Sequence, residues 1–364
     1  MTDKADTAWA VPSEAGTTAG HARAADRNGV SREADPGVEP PRTETGGRRA
    51  APRGVAVALF FVAVVVACSA AIDGFATYDN VTVIASSSMV IAVASLGQLL
   101  AVISGGFDLS VGGVVPLAAV TFAVLTGHGF GVLPATVLTL MVGMASGLVN
   151  GVVVGIFKIN ALIGTLATMS ITGGLAYVVT GGLTVQVDPR AGVLGDPLWL
   201  DLPGFVWLGL ALIVGTHLVL RYTIFGRRIY MIGGNSQAAL LAGVRVSVVT
   251  TAVYLFSGVL SALAGVMAAS QLLAATGGVG TGTTLTSLAA VVLGGAALTG
   301  GRGGVFGAVM GVALLGVLND ALNLLRLPSF YQQIVVGGVL LLTVGIGRLQ
   351  ELSAERWPLV RSRS

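Results

Sequence analysis

The sequence predicts an all-α fold, namely a polytopic membrane protein of about ten transmembrane or re-entrant helices with an internal repeat. Apolar residues make up 54% of the chain and charged residues only 10%, whereas a soluble domain carries about a quarter charged residues. The charges are concentrated in an N-terminal tail, a central loop and the C-terminus, so long uncharged runs separate them. Several runs reach the roughly 20 residues that cross a hydrocarbon core of about 30 Å.

The hydrophobic runs define the predicted transmembrane domain, residues 51–350. Three of them are shorter and Gly-rich, namely 109–126, 284–300 and 303–320. We expect broken or re-entrant helices there, because irregular backbone is tolerated in a membrane where protein or a cavity surrounds it. The complete set of predicted spans is 54–72, 82–103, 109–126, 132–155, 160–180, 204–220, 248–270, 284–300, 303–320 and 330–347.

The two ends of the chain differ in composition from this domain. Residues 1–50 are rich in Ala, Gly, Pro, Thr, Glu and Arg and have almost no large apolar residues. Such a segment buries too little surface to offset its ordering entropy, so we predict a disordered tail. Residues 351–364 form a second, short tail.

Basic residues predict the orientation. They cluster before the first span, in the loop 221–247 and after the last span, and ten spans place all three clusters on one side. The positive-inside rule makes that side cytoplasmic, with both termini inside. Arg326 falls outside and is the exception. The loop 181–203 becomes the largest external loop.

Small residues and a repeated motif indicate how the helices are arranged. Glycines at every fourth position from 143 to 155, and at 303, 307 and 311, predict ridges that let helix backbones approach closely. Residues 101–112 and 290–301 both read A-V-x-x-G-G-x-x-L-[S/T]-x-G, and each copy links two apolar spans. Ten spans make the two copies run in the same direction, whereas an error of one span would invert them.

The sequence contains no enzyme motif of the kinds that bind nucleotide or metal. Neither Lys4 nor Lys158 belongs to a phosphate-binding G-x-x-x-x-G-K-[S/T] loop. Three scattered histidines and the single Cys68 provide neither a metal site nor a disulfide. The small net charge of +3 does not suggest a nucleic-acid partner. We therefore expect no cofactor on this chain and no enzymatic activity, and any ATP-driven step requires a separate ATPase.

Polar residues within the spans are the candidates for a translocation path or gate, because each is costly in lipid. Asp108 fits either a gate or a carboxylate that caps the helix after it, and we favour the cap. The other polar residues could line a path or bond between helices. Spans without chained acidic residues or histidines suit a neutral, polyhydroxylated solute better than an ion. The path or gate set is Gly105, Gly106, Asp108, Ser110, Asn150, Thr165, Thr168, Gly294, Gly295, Asn319 and Asn323.

The loop 221–247 carries the strongest local signal. Asn235 or Ser236 can cap a short helix that Gly243 ends. A structured helix in the longest cytoplasmic loop offers a docking surface to a soluble partner. It equally fits an amphipathic connector that lies on the membrane.

Three motifs carry a resemblance to a known family. They are Gly105-Gly106-Phe107-Asp108-Leu109-Ser110-Val111-Gly112, the segment from Phe225-Gly226-Arg227-Arg228 to Gly243, and Leu288–Gly303 with its two glycine pairs. From about residue 85 to 347 the chain resembles the permease subunits of ribose- and xylose-type ABC sugar importers, within the wider family that includes branched-chain amino acid permeases. Asp320 departs from the pattern, since Asn is expected there.

The resemblance implies a transport subunit in a bacterial cell membrane that carries a pentose or hexose inward. Its implied partners are cytoplasmic ATPase subunits that bind ATP, an external sugar-binding protein and a second permease subunit, identical or different. The alternatives are a branched-chain amino acid or nucleoside ABC permease, or a self-sufficient secondary transporter. The residues implied in ATPase coupling are Gly226, Arg227, Arg228, Gly233, Gly234, Asn235, Ala238, Ala239 and Gly243.

Overall fold

Helices form almost all of the regular structure. The computed structural model describes residues 53–280, 282–328, 331–335, 337, 338, 341 and 345, so the predicted tails 1–50 and 351–364 lie outside the described residues. Residues 331–335, 337, 338, 341 and 345 are helical. Within the described residues the α-helices are α1 Arg53–Ala71, α2 Tyr78–Ile103, α3 Val111–Gly127, α4 Val132–Gly151, α5 Ala161–Thr180, α6 Gly204–Tyr222, α7 Ile224–Gly234, α8 Ser236–Leu241, α9 Val246–Leu272, α10 Thr283–Leu293 and α11 Val305–Leu324.

The predicted all-α membrane architecture is confirmed. Nine of the ten predicted spans correspond to α1–α6 and α9–α11, and the tenth, 330–347, is helical wherever it is described. Six helices in the described part of the chain are long and apolar enough to cross a membrane: α2, α4 with the π-helical turn Val152–Ile156 that continues it, α5, α6, α9 and α11. Apolar segments 58–71, 111–127 and 283–293 are shorter.

Two of the three spans predicted to be short are indeed short. The third, 303–320, is α11, which has 20 residues and full spanning length. The predicted span 284–300 is wrong at its end, because α10 stops at Leu293 after 11 residues. Gly295 there has φ +90°, a left-handed conformation that ends a helix and that glycine adopts without strain.

The connecting segments lie at two opposite ends of α9. Beyond its C-terminus, β4 (Ala274–Ala275) pairs antiparallel with β1 (Val185–Gln186) of the predicted external loop. The same loop contains the 3₁₀ helix Pro189–Leu194 and the hairpin of β2 (Pro197–Trp199) with β3 (Leu202–Pro203). At its N-terminus α9 follows α7 and α8. The loop 181–203 and the loop 221–247 therefore lie at opposite ends of the helical bundle.

Both copies of the repeat turn at the α7 end. The amide of Gly301 donates to the carbonyl of Ile103 (2.9 Å), which joins the loop after α10 to the loop after α2. The hydroxyl of Tyr230 in α7 donates to the carbonyl of Gly303 (2.8 Å). Because α2 and α10 both arrive at this end and α3 and α11 both leave it, the two copies run in the same direction, as the count of ten spans predicts.

The predicted glycine ridges pack helices together. The ridge on α4 and its π turn lies on α9, where β-carbons added at Gly143, Gly147 and Gly151 would collide with the α9 backbone. Gly307 and Gly311 of α11 lie against the carbonyls of Gly294 and Ala290 at the end of α10. Gly303 precedes α11, so it does not belong to that ridge. The close α4–α9 contact helps make α9 the most buried of the six long helices, with 78% of its apolar core inside the protein.

Candidate functional site

The end of α7 meets both glycine-rich loops at one point. A β-carbon added at Gly233 would collide with the carbonyl of Ile103 and the amide of Gly301. One added at Gly300 would lie 2.7 Å from Cα of Gly105 and 2.8 Å from the carbonyl of Gly233. We call Gly105, Gly233, Gly300 and Gly301 the glycine junction. Only residues without a side chain let three backbone segments approach this closely.

Backbone conformation also requires glycine at this point. Gly105, Gly300 and Gly301 have φ of +85°, +85° and +71°. Tyr230 fastens α7 to the loop through its hydroxyl, and burial raises the pKa of this phenol above its usual value near 10. The phenol therefore remains protonated and keeps its donor at physiological pH. The junction thus joins α7 to the segments from which α3 and α11 start.

The helix pair α7–α8 has defined ends. Oδ1 of Asn235 accepts from the amide of Ala238 (3.0 Å) and caps α8, as predicted. The amides of Gly243 and Val244 donate to the carbonyls of Leu240 (2.9 Å) and Ala239 (3.0 Å), and Gly243 has φ +80°. This pair of bonds is the Schellman motif, so Gly243 ends α8 as predicted.

The residues predicted for coupling all lie on this helix pair or its flanks. Gly226 is buried, and an added β-carbon there would collide with the carbonyl of Leu220. Ala239 is also buried. The other residues predicted for coupling lie either in the glycine junction or on the protein surface. Gly233 belongs to the junction, and the exposed members are Arg227, Arg228, Gly234, Asn235, Ala238 and Gly243.

Asp108 lies in a closed polar cluster between α2 and α3. Its Oδ1 accepts from the amide (3.0 Å) and the hydroxyl (2.5 Å) of Ser110, and its Oδ2 accepts from the hydroxyl of Ser257 on α9 (2.6 Å). The side chain is fully buried. A buried carboxylate needs such donors, because removing one leaves a charge without compensation. Asp108 thus holds Ser110, the residue before α3, in place, but it does not bond to the amides of α3, so its predicted role as a helix cap stays a prediction.

Further polar contacts extend the cluster to α4, α5 and α10. Nδ2 of Asn150 donates to the hydroxyl of Ser110 (2.7 Å). The backbone of Leu109 donates to Thr165 (3.1 Å) and accepts from Thr284 (3.0 Å). The hydroxyl of Tyr254 donates to the carbonyl of Phe107 (3.1 Å). We call Asp108, Ser110, Asn150, Thr165, Tyr254, Ser257 and Thr284 the Asp108 cluster.

The other residues predicted for a path or gate lie elsewhere. Thr168 bonds to the carbonyl of Gly164 in its own helix. Gly106 lies against Tyr254, whereas Gly294 and Gly295 end α10. Asn319 and Asn323 lie at the far end of α11, near Asp320, which accepts from Asn80 (2.8 Å). The structure therefore brings four of the predicted polar residues together, Asp108, Ser110, Asn150 and Thr165, and separates the asparagines of α11 from them.

Tyr254, Ser257 and Thr284 are members of the cluster that the sequence interpretation missed. Tyr254 and Ser257 stand three residues apart on α9, and this spacing places them on one helix face. Polar residues on one face of an apolar span are a signal that could have identified them. Within the described residues no group of three or more His, Cys, Asp or Glu comes close enough to hold a metal ion.

Two open cavities lie away from the cluster. The first, about 370 Å³, lies at the end that carries the predicted external loop, and its lining includes Asp196 and Asp201 of that loop and Gln271 at the end of α9. We call it the external cavity after that prediction. The second cavity, about 380 Å³, lies beside α7 and is lined by His217, Leu220, Arg221, Arg227, Tyr230, Gly303, Gly304, Val305 and Phe306. We call the second one the basic cavity.

Comparison with known proteins supplies the family. Residues 80–344 match the family model described as branched-chain amino acid transport system / permease component. No solved structure matches the chain.

Curated relatives cover most of the chain. The L-arabinose transport system permease protein AraH of Escherichia coli K12 is 37% identical over 80% of this chain and 89% of its own length. The ribose import permease protein RbsC of the same organism is 36% identical over 74% and 86%. The autoinducer 2 import system permease protein LsrC of Photorhabdus luminescens is 35% identical over 72% and 80%. The resemblance inferred from the three motifs is confirmed, and the chain belongs to the family of ABC-importer permeases that includes the branched-chain amino acid and monosaccharide transport permeases.

Proposed function

We propose that this chain is the membrane-spanning permease subunit of a binding-protein-dependent ABC importer that brings a monosaccharide, a pentose or hexose, into the cell. The glycine junction is the observation that carries this proposal. It places the end of α7 in direct backbone contact with the ends of the α2 and α10 segments, whose loops lead into α3 and α11. The named relatives support the substrate class, since they are permease proteins named for L-arabinose transport, ribose import and autoinducer 2 import.

The α7–α8 pair is the proposed docking surface for a cytoplasmic ATPase subunit. It presents Arg227 and Arg228, and on α8 Leu240 and Leu241 are 60% and 89% exposed. Large apolar side chains this exposed at an aqueous end mark an interaction surface. ATP binds to that partner. Movement of the docked helix pair then reaches α3 and α11 through the junction. Closely packed backbone segments are hardly compressible, so a displacement of one segment moves the next.

The opposite end is the proposed docking surface for an external sugar-binding protein. Leu198 and Trp199 in the hairpin β2–β3 are 74% and 64% exposed. They stand beside the external cavity, whose hydroxyl, carboxylate and amide groups suit a sugar that arrives from such a partner. A second permease subunit, identical or different, completes the pathway.

Charge distribution supports an orientation with both termini in the cytoplasm. Among the described residues the α7 end carries Lys158, Arg221, Arg227, Arg228, Arg245 and Arg302. The opposite end carries Arg190 and Arg326 together with six aspartates, Asp73, Asp79, Asp188, Asp196, Asp201 and Asp320. Basic residues accumulate on the cytoplasmic side of membrane proteins.

The Asp108 cluster is proposed to fix the position of the loop between α2 and α3. It connects this loop to α4, α5, α9 and α10 through side-chain hydrogen bonds. We propose that the cluster holds the start of α3 at the cytoplasmic half of the pathway, with Gly105 and Gly106 just before it in the loop and with Gly294 and Gly295 at the corresponding place in the second copy. Asn319 and Asn323 belong to the external half.

The test is co-purification of the tagged chain from its native membranes, followed by an ATPase assay with candidate binding proteins and ligands. We expect an associated ATPase whose rate rises only with a binding protein loaded with one monosaccharide. Stimulation by a branched-chain amino acid or a nucleoside instead would assign the other substrate class of the family. A chain that purifies without an ATPase, and that drives uptake alone from an ion gradient, would contradict the proposal.

A further inference from the structure

The basic cavity has no counter-ion within the described part of the protein. Arg221 lies in the last turn of α6 and Arg227 lies in α7, and neither guanidinium group makes an ion pair or hydrogen bond with a described residue. Asp108 is the one acidic residue described at this end of the bundle, and it is fully buried and bonded to serines. The two guanidinium groups therefore face an open cavity of about 380 Å³ whose lining contains no carboxylate.

A helix N-terminus adds positive potential to the same cavity. Gly304, which directly precedes α11, and Val305 and Phe306, the first two residues of that helix, line it, and no side chain caps this helix. The free amides of a first helical turn and the helix dipole favour an anion. His217 completes the lining on the side of α6. The site thus combines two arginines, a histidine and backbone donors around one volume.

The surroundings of the cavity are apolar on the side of the membrane. Val214 and Leu218 precede Arg221 by seven and three residues, so they lie on the same face of α6, and they are 57% and 49% exposed. Phe306, which lines the cavity, is 63% exposed. A ligand that fits both the basic cavity and the apolar surface beside it has an anionic group joined to a hydrocarbon chain. Such a ligand lies at the membrane–water boundary.

We propose that the basic cavity is a binding site for the phosphate headgroup of an anionic phospholipid of the cytoplasmic leaflet. Arg221 and Arg227 hold the phosphate, the first amides of α11 contribute donors, and the acyl chains lie along Val214, Leu218 and Phe306. Basic pockets between transmembrane helices on the cytoplasmic side are suited to such headgroups. The lipid would lie against α7 and the loop before α11, both of which belong to the coupling region.

The test measures lipid binding and needs no transport. The full-length chain is purified in mild detergent, delipidated and titrated with phosphatidylglycerol or with phosphatidylcholine, and bound lipid is counted by native mass spectrometry. The variants are Arg221→Ala and Arg221→Glu. Arg245→Ala is the matched control, since Arg245 is exposed at the same end and lies outside the cavity.

We expect the wild-type chain and Arg245→Ala to bind phosphatidylglycerol in preference to phosphatidylcholine. Arg221→Ala should bind phosphatidylglycerol about fivefold more weakly, and Arg221→Glu more weakly still. Equal binding of both lipids, or an equal loss with Arg245→Ala, would overturn the proposal. Full displacement of the lipid by millimolar inorganic phosphate would overturn it too, because the site would then serve a free anion. An Arg221→Ala chain that keeps its lipid but loses its ATPase partner would assign the cavity to subunit docking instead.

Discussion

The two copies of the glycine-rich repeat share a backbone and differ in chemistry. In the first copy the amides of Gly105 and Gly106 donate to the carbonyls of Val102 and Ala101. In the second, Gly295 and Ala296 donate to Val292 and Val291. Both patterns end a membrane helix in the same way, and both loops then touch α7. Only the first copy carries an acidic residue, Asp108, where the second has Ala297 in the motif.

This difference separates two tasks. Closing a helix and contacting α7 require only glycines, so both copies can do it. Fixing a loop to three or four other helices requires polar side chains, and these are concentrated on the first copy. The second copy instead packs on α11 through the contact between Gly294 and Gly307. We infer that the first loop is held by hydrogen bonds and the second by close backbone packing.

Of the three variants that test this comparison between the two loops, the one in the second loop should have the largest effect on stability. In Gly301→Ala the added methyl group would lie 2.9 Å from the backbone of Gly234 at φ +71°, so both packing and backbone conformation are strained. We expect at least about 2 kcal/mol of destabilisation and loss of uptake. Gly304→Ala is the control, since nothing lies within 4 Å of its added carbon. Equal thermal unfolding midpoints for the two variants would contradict the packing argument.

The next largest effect on stability should come from removing the hydrogen bonds that hold the first copy of the repeat. Asp108→Ala leaves the buried hydroxyls of Ser110 and Ser257 without their acceptor, at a cost of about 1–3 kcal/mol. Asp108→Asn keeps one acceptor oxygen and should lose less stability. The free energy of unfolding of both variants and of Ser257→Ala, alone and combined, gives the coupling between the two side chains. Additive effects of Asp108→Ala and Ser257→Ala would show that they do not act together.

The smallest effect is expected at the glycine with positive φ that ends the helix in each copy, Gly105 and Gly295. Gly105→Ala introduces a side chain at φ +85° with its nearest neighbour 3.6 Å away, so conformational strain dominates and costs about 1–2 kcal/mol. Asparagine tolerates this conformation better, so Gly105→Asn should recover part of the loss. Gly295→Ala, at φ +90°, should behave like Gly105→Ala. A Gly105→Asn variant less stable than Gly105→Ala would point to a steric cause instead.

Hydropathy was enough to predict the architecture, because each span must be apolar over its whole length. It failed where apolar residues are not helical. Residues 294–300 read as the end of a span, yet the left-handed Gly295 stops α10 before them. The motif alignment pairs Gly105 with Gly294, whereas the helix-ending bonds pair Gly105 with Gly295, a shift of one residue. Such a shift depends on which glycine adopts positive φ, and the sequence does not encode that choice locally.

Individual residues of the candidate site could be predicted from the sequence, but which of them lie together in the fold could not. The glycine pairs, Asp108 and the cap at Asn235 stand out in the sequence. The meeting of three distant segments at Gly233 depends on tertiary packing, as does the position of Asn319 and Asn323 at the other end of the bundle. Ser257 was missed because a single serine in an apolar helix more often bonds to its own backbone.

One matched pair of variants tests the proposed coupling most directly. Gly233 and Gly234 are neighbours at the end of α7, but an added β-carbon collides with Ile103 and Gly301 only at Gly233, whereas nothing lies within 4 Å at Gly234. Each variant, Gly233→Ala and Gly234→Ala, is co-purified with its ATPase partner, reconstituted with the loaded binding protein, and assayed for sugar uptake and ATP hydrolysis.

We predict that both variants assemble with the ATPase, and that Gly234→Ala transports like the wild type. Gly233→Ala should lose uptake about tenfold or more, while its ATP hydrolysis no longer responds to the loaded binding protein. Normal, ligand-stimulated uptake by an assembled Gly233→Ala chain would contradict the proposal that the glycine junction transmits movement from α7 to the membrane segments.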